Sequence, residues 1–378
     1  MFKLKKILII FLVLGSSFSL FKNSLAIDIT PNAKSSILIE VESGKVLYES
    51  NPYLHLAPAS MTKIMTMMII LDEIKEGNLK WNDIVIASKE ASSMGGSQVY
   101  LKENEKMIVT DMFKAIAIAS ANDCAYAMAE KISGTKDLFV KRMNDYISKL
   151  NLSNTNFVNP TGLSDDNHYS CSYDMAFIAR NLLLNHEDDI TRFTSTYQDY
   201  IRQESDSPFW LVNTNKVLKM DSDVDGLKTG WTEEAGYCIT LTKKANGMRL
   251  IAVVMGYSSS EERNKECYNL LNYGFNSFKL YPVFEQMLVK EVDDIRYYPS
   301  KFNIITDEGL SIINNTNINK EDILYEYNYS LNDLSNIGYL NVKYMGHDYK
   351  KIKLKTDCQV RKASFYEIVI GIVKKIIG

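Results

Sequence analysis

The chain has 378 residues, with 43 Lys and Arg against 46 Asp and Glu, for a formal charge of −3. That length accommodates one large domain and a smaller one; the near-neutral charge, with no long basic patch of interleaved aromatics, gives no support for nucleic-acid binding. Five Cys (Cys124, Cys171, Cys238, Cys267 and Cys358) are widely spaced without a CxxC pair, and four His (His55, His168, His186 and His347) are scattered without an HExxH. A disulfide framework, a zinc site or a catalytic metal is therefore not expected, and no cofactor is implied.

In chain order, Lys3, Lys5 and Lys6 precede an apolar run over 7–14 that continues to Phe21, and Ser24-Leu25-Ala26 follows. This is the layout of a cleavable secretory signal over residues 1–26, so export is predicted, with the mature chain starting at Ile27. The run is short for a membrane span, which needs roughly 20 apolar residues. No Cys follows it, which argues against a lipid-anchored lipoprotein. Residues 37–41 and 46–48 flank the turn Glu42-Ser43-Gly44-Lys45 and predict a β-hairpin. Pro58-Ala59-Ser60 introduces a Met- and Ile-rich run ending at Gly77, punctuation that predicts a helix. Thr110-Asp111 is the expected cap of a helix over 112–119. Ser120-Ala121-Asn122-Asp123 separates it from another over 125–132. Asn159-Pro160-Thr161-Gly162 reads as a loop, and 173–184 has helical spacing. Strands are expected at 227–229, 237–242 and 250–255, with the hairpin signal Asn246-Gly247 between the last two. Residues 267–278 read as a closing helix.

After about Pro282 the chain turns polar, Asn- and Tyr-rich, with short alternating runs. Residues 27–284 are thus expected to form the main domain and 285–358 a small all-β domain. The tail, 359–378, ends in an apolar stretch carrying Lys374 and Lys375. It is too short to span a membrane, but fits an amphipathic helix lying on one.

Chemistry concentrates at three short strings. From Met61 to Leu71 every residue is apolar or small and neutral except Lys63. A helix apolar all round is a buried one, and burying a lysine costs several kcal/mol unless it is paired or loses its proton. Residues three apart share a helix face, so the Lys63 amine is expected over the Ser60 hydroxyl, near a helix N-terminus whose dipole favours negative charge. A serine there, beside a lysine of depressed pKa, is an activated nucleophile that needs no histidine. Ser120-Ala121-Asn122, between two helices, taken alone would be capping groups. Lys228-Thr229-Gly230 lies on a strand: Gly230 lets a ligand backbone approach, while Lys228 and Thr229 offer a cation and a hydroxyl to a carboxylate. The three strings in this order, with these placements, are the combination found in β-lactamases and penicillin-binding proteins.

The sequence from about Ala33 onward resembles the low-molecular-mass penicillin-binding proteins, the serine-type D-Ala-D-Ala carboxypeptidases. The resemblance extends to the hairpin 39–48, to Ala57-Pro58-Ala59-Ser60-Met61-Thr62-Lys63, to Ser120-Ala121-Asn122-Asp123 with Ala in place of the family's Gly, to Asn159-Pro160-Thr161-Gly162-Leu163 and Tyr169-Ser170 with Asp174-Met175-Ala176, and to Gly226-Leu227-Lys228-Thr229-Gly230. It implies an α+β fold: a penicillin-binding/β-lactamase-like domain with an antiparallel sheet flanked by helices, then a β-rich domain and an amphipathic C-terminal helix. It also implies roles. Ser60 attacks, Lys63 takes its proton, and Ser120 relays a proton to the leaving D-alanine. Asn122 holds the substrate amide, Lys228 adds positive potential, and Thr229 with Arg263 binds the terminal carboxylate. The N–H groups of Ser60 and Trp231 form an oxyanion hole. The implied partners are the peptidoglycan stem peptide ending in D-Ala-D-Ala, β-lactams as inhibitors, and a membrane surface for the tail. Trp231 stands where some family members carry His.

A class A β-lactamase shares the strings but needs a glutamate to activate the deacylating water. The segment after Asn159 offers Asp165 and Asp166 and no Glu before Glu187. A silent homologue need not retain Ser60, Lys63, Asn122 and Lys228 together. A transpeptidase or endopeptidase differs in the acceptor that reaches the acyl-enzyme, which the sequence does not display.

Overall fold

The computed structural model describes residues 28–377; the export signal expected over 1–26 lies outside them. The first hairpin forms as expected: β1 (Ser35–Glu40) pairs antiparallel with β2 (Val46–Ser50). The turn Ala59–Thr62 then winds as a 3-10 helix and runs directly into α1 (Lys63–Lys75). Two short strands, β3 (Ile84–Ile86) and β4 (Lys106–Ile108), flank the one-turn helix α2 (Lys89–Ser92). The helices α3 (Val109–Ala119), α4 (Asn122–Ser133), α5 (Lys136–Lys149) and α6 (Ser172–Thr194) complete the helical part. After the hairpin β5 (Gln198–Ile201) and β6 (Phe209–Val212) come β7 (Val224–Thr232), β8 (Gly236–Ala245), β9 (Met248–Tyr257) and α7 (Ser260–Ser277).

The main sheet has the order β2-β1-β9-β8-β7, antiparallel throughout. Its central strands are apolar on both faces because both are covered. Ile37, Ile39, Val253 and Met255 enter the larger core with α1 and α6, while Leu38, Ala252 and Val254 face the α7 side. This period-two division is what a pleated strand dictates. Asn246 and Gly247 both have positive φ, at 51° and 76°, as the two-residue turn between β8 and β9 requires. Strand β7 is an outer strand of the sheet, which leaves one side of the Lys228-Thr229-Gly230 backbone unpaired by the sheet.

Three helix starts differ from the sequence reading, one of them α4, which begins at Asn122 rather than 125. Thr110 and Asp111 do not cap α3 but lie within its first turn; the helix begins at Val109, and Thr110 Oγ1 bonds to Trp81 O at 2.9 Å. The closing helix begins at Ser260 rather than 267, capped by Ser259, whose hydroxyl accepts from Glu261 N and Glu262 N. Its polar first turns masked the start, and they carry Arg263.

The β-rich part comprises β10 (Lys279–Phe284), β11 (Leu288–Asp293), β12 (Tyr297–Tyr298), β13 (Lys301–Thr306), β14 (Leu310–Asn314), β15 (Ile323–Tyr329), β16 (Gly338–Tyr344), β17 (His347–Thr356) and β18 (Arg361–Lys362). β10 pairs with β14 and β18 with β12, so strands paired with one another run from Lys279 to Lys362. Ile313 of β14 is buried in the core beneath α7, and Lys45 Nζ donates to its carbonyl at 2.9 Å. The tail is the helix α8 (Phe365–Ile377), with no buried residue. Among the described residues no helix is long and apolar enough to cross a membrane. Cys124, Cys171, Cys238 and Cys267 are buried free thiols, and Cys358 is exposed.

Candidate active site

Ser60 sits in the tight turn that feeds α1, and every residue of α1 from Lys63 to Leu71 is buried. One turn on, Lys63 brings its Nζ to 2.9 Å from Ser60 Oγ. Nζ also contacts Asn122 Oδ1 and Thr161 O, each at 2.6 Å. Among the described residues no carboxylate lies within ion-pair distance of it. Burial holds the amine well below the usual lysine range; the charge of Lys228 pushes it further down, and Asp123 opposes both. The amine is thereby set to accept a proton rather than hold one.

Ser120 ends α3 in the left-handed conformation, at φ 64°. Its hydroxyl is buried without a hydrogen-bond partner among the described residues. Such a group costs free energy unless a ligand supplies the missing partner. Ala121 has φ −59° and ψ 118°, angles any residue adopts, so Ala in place of Gly carries no strain here. Asn122 opens α4; its N–H donates to Ser97 O at 2.7 Å, and its Nδ2 donates to Gly95 O at 2.7 Å. The next residue, Asp123, accepts Val99 N at 3.0 Å and Leu101 N at 3.1 Å. Together they lay the loop 95–101 against the start of α4.

On β7, Lys228 is buried and donates to Thr229 O at 3.1 Å. Burial, then the charge of Arg263, pushes its pKa down to about 7. Thr229 Oγ1 donates to Thr214 Oγ1 at 2.6 Å. A Cβ on Gly230 would lie 2.8 Å from Pro58 O, so only glycine lets this strand lie flat against the nucleophile turn. Trp231 is 57% exposed and pairs across the strands with Tyr237, their rings 5.9 Å apart. Arg263 is buried below Tyr237, donating to Cys238 O at 3.2 Å and Asn264 Oδ1 at 2.8 Å. Burial lowers its pKa, and no carboxylate pairs with it among the described residues. A buried guanidinium without a counter-ion is expensive, and here it lines an open cleft.

Ser60, Ser120, Thr229, Gly230, Trp231 and Arg263 all line one cleft of about 300 Å³. Lys63, Asn122 and Lys228 stand directly behind it through the bonds just given. All nine residues picked from the sequence thus converge. The sequence reading missed Ser97, Thr214 and Lys216 in the cleft wall, and the Thr161 carbonyl. Thr214 had a signal: it lies between Asn213 and Asn215, both buried, whose amides tie down Thr194 O, Thr196 O and Gly226 O.

Comparison with known proteins agrees with this geometry. Residues 22–259 match the peptidase S11 family, described as D-alanyl-D-alanine carboxypeptidase. The D-alanyl-D-alanine carboxypeptidase DacF of Bacillus subtilis is 45% identical over 300 residues, 79% of this chain and 77% of that one. Among solved structures, penicillin-binding protein 5 from Haemophilus influenzae superposes with a TM-score of 0.71 at 28% identity, covering 88% of this chain and 98% of its own. Penicillin-binding protein D2 from Listeria monocytogenes, in its ampicillin-bound form, gives 0.58 at 29% identity over 65% of this chain and 98% of its own. The chain belongs to the peptidase S11 family of D-alanyl-D-alanine carboxypeptidases.

Proposed function

We propose that this enzyme removes the terminal D-alanine of peptidoglycan stem pentapeptides through an acyl-enzyme on Ser60. The observation that carries the reading is the Ser60–Lys63 pair: a buried amine with no acidic partner among the described residues, 2.9 Å from a hydroxyl at the start of an apolar helix. Lys63 takes the Ser60 proton as Oγ attacks the carbonyl between the two D-alanines. The N–H groups of Ser60 and Trp231 hold the oxyanion, a contribution worth several kcal/mol in acyl transfer. Ser120, whose buried hydroxyl has no partner among the described residues, passes its proton to the departing amine as the C–N bond breaks and takes the one held by Lys63, which is neutral again. Asn122 holds the stem-peptide amide and steadies Lys63. The terminal carboxylate lies against Thr229 and Arg263, in the potential of Lys228. Water, deprotonated by Lys63, then attacks the ester, and the proton passes from Lys63 to the departing Ser60 Oγ. A penicillin presents a strained amide and a carboxylate at the same spacing, so it acylates Ser60.

Residues 1–26 are read as an export signal and 27–284 as the catalytic domain, with 285–358 as the β-rich domain. The tail 359–378 is read as a peripheral anchor on the outer face of the cytoplasmic membrane. The support for the anchor is α8, where Val369, Ile372, Val373 and Ile376 are exposed and Lys374 and Lys375 lie in the last turn.

The test uses residues 27–378 and a Ser60→Ala variant, each given a peptide ending in D-Ala-D-Ala while free D-alanine is followed. Release by the first alone, with a penicillin adduct mapped to Ser60, is the expected result. If both proteins are folded and neither releases D-alanine, the carboxypeptidase reading is overturned for that substrate. Flotation with anionic vesicles, with and without residues 365–378, tests the tail.

A further inference from the structure

Between Ser60 and Lys63 lies a buried residue that the chemistry above leaves idle. Thr62 Oγ1 is 2.8 Å from His168 Nε2. The other ring nitrogen, Nδ1, accepts Val158 N–H at 3.1 Å. A nitrogen that accepts from a backbone amide carries no proton, so the ring is the neutral Nε2–H tautomer and donates to Thr62. His168 is itself buried. It joins the nucleophile turn to the start of the segment 158–162.

That segment crosses over Lys63 and is fastened twice more. Thr66 Oγ1 donates to Pro160 O at 2.7 Å, and Asn159 Oδ1 accepts Thr161 N at 3.1 Å and Gly162 N at 2.7 Å. What it delivers is the Thr161 carbonyl at Lys63 Nζ. A neutral amine has two N–H bonds and one lone pair. Asn122 Oδ1 and Thr161 O can only accept, so they engage both N–H bonds, and the lone pair is left facing the Ser60 hydroxyl. With one acceptor displaced, the amine rotates freely about its last bond and the lone pair is no longer aimed.

We propose that His168 is a positioning residue of the acylation step, clipping Val158 to Thr62 so that the Thr161 carbonyl directs the lone pair of Lys63 at Ser60. The inference rests on Lys63 being the general base. The charged groups acting on the ring are Asp165 and Lys63; burial lowers its pKa to about 4, with Lys63 acting in the same direction and Asp165 against. The ring therefore stays neutral, and the clip closed, above about pH 4.

The experiment compares residues 27–378 with His168→Leu and His168→Gln, the latter keeping one acceptor and one donor. It follows acylation by a fluorescent penicillin and turnover of a D-Ala-D-Ala peptide from about pH 5 to about pH 10. For His168→Leu the acylation rate and kcat are expected to fall roughly ten- to hundredfold, with KM within about twofold. The acidic limb of the rate profile should move to higher pH, because a loosened site lets water reach the amine. His168→Gln should recover most of the rate. Two results overturn the proposal: a folded Leu variant with unchanged rate and limb, or a loss confined to the number of titratable sites at an unchanged rate per site. A Lys63→Ala variant that still acylates would instead overturn the base assignment, whatever His168 does.

Discussion

Asn122 Oδ1 sits 2.6 Å from Lys63 Nζ, and its amide cannot turn over, because Nδ2 donates to Gly95 O at 2.7 Å on the other side. The oxygen that faces the lysine is fixed by a backbone carbonyl that accepts only from an N–H. An acceptor without charge in this place is compatible with a neutral amine.

Replacing Asn122 by Asp keeps the shape and adds a negative charge in contact with Lys63. An opposite charge at that range raises a lysine pKa by about 1 to 3 units. The acidic limb of kcat/KM should move to higher pH by that amount, and activity near neutrality should fall, by up to about a thousandfold. The pH–rate profile checks it; an unshifted limb would count against Lys63 as the base.

Lys228 offers a second titration. Its amine, lowered to about 7 by burial and then by Arg263, is mostly neutral at about pH 8 in the empty cleft. An anionic carboxylate bound nearby favours the charged form, so ligand binding should draw in close to one proton. Calorimetry on the Ser60→Ala variant with a D-Ala-D-Ala peptide, in two buffers of different ionisation enthalpy, measures this directly. The uptake should vanish in Lys228→Met.

Gly162 and Gly77 have nearly the same backbone, φ 83° and 80°, but different surroundings. A Cβ on Gly162 would fall 1.9 Å from Ala59 O and 2.9 Å from Ser60 N, whereas at Gly77 nothing lies within 4 Å. Gly77→Ala should cost only the left-handed strain, about 1 to 2 kcal/mol. Gly162→Ala should exceed about 4 kcal/mol or fail to give folded protein. Urea denaturation of the pair separates backbone strain from collision.

His168 makes stability depend on pH. Unfolded, the ring takes a proton near its ordinary value of about 6.5; folded, it does so only near 4. Between those values the unfolded chain binds more protons, so this contribution is whole above about pH 6.5 and is withdrawn as pH falls towards about 4, a loss of up to ~3 kcal/mol. Urea melts at about pH 4.5 and about pH 7.5 should show a smaller difference in His168→Gln than in the parent, since every other titrating group is common to both.

Much of this site was legible because its chemistry resides in side chains at short, fixed spacings. Ser60 and Lys63 are one helical turn apart, and a lone cation in an apolar helix announces itself. Lys228, Thr229 and Gly230 lie on one strand. What stayed hidden depends on backbone atoms or on distant pairing. The Thr161 carbonyl has no residue-type signature, since any residue could supply it. His168 acts on a backbone amide and on a threonine whose own neighbours draw the eye. The start of α7 was obscured because Ser260, Glu261 and Glu262 face solvent, and periodicity appears only once Cys267, Leu270 and Leu271 turn inward. The strand Lys279–Phe284 declares itself only through its partner Leu310–Asn314, a long-range pairing that no local pattern encodes.

The burial of Ile313 beneath α7, together with the Lys45 bond to its carbonyl, bears on how the molecule melts. A side chain from the β-rich part completes a core that otherwise belongs to the catalytic part, so neither can open without exposing apolar surface on the other. The two should therefore unfold in a single cooperative transition. A chain cut after Phe278 would lose Ile313 and Leu280 from the core beneath α7 and would be less stable by a few kcal/mol, the ordinary cost of such a void.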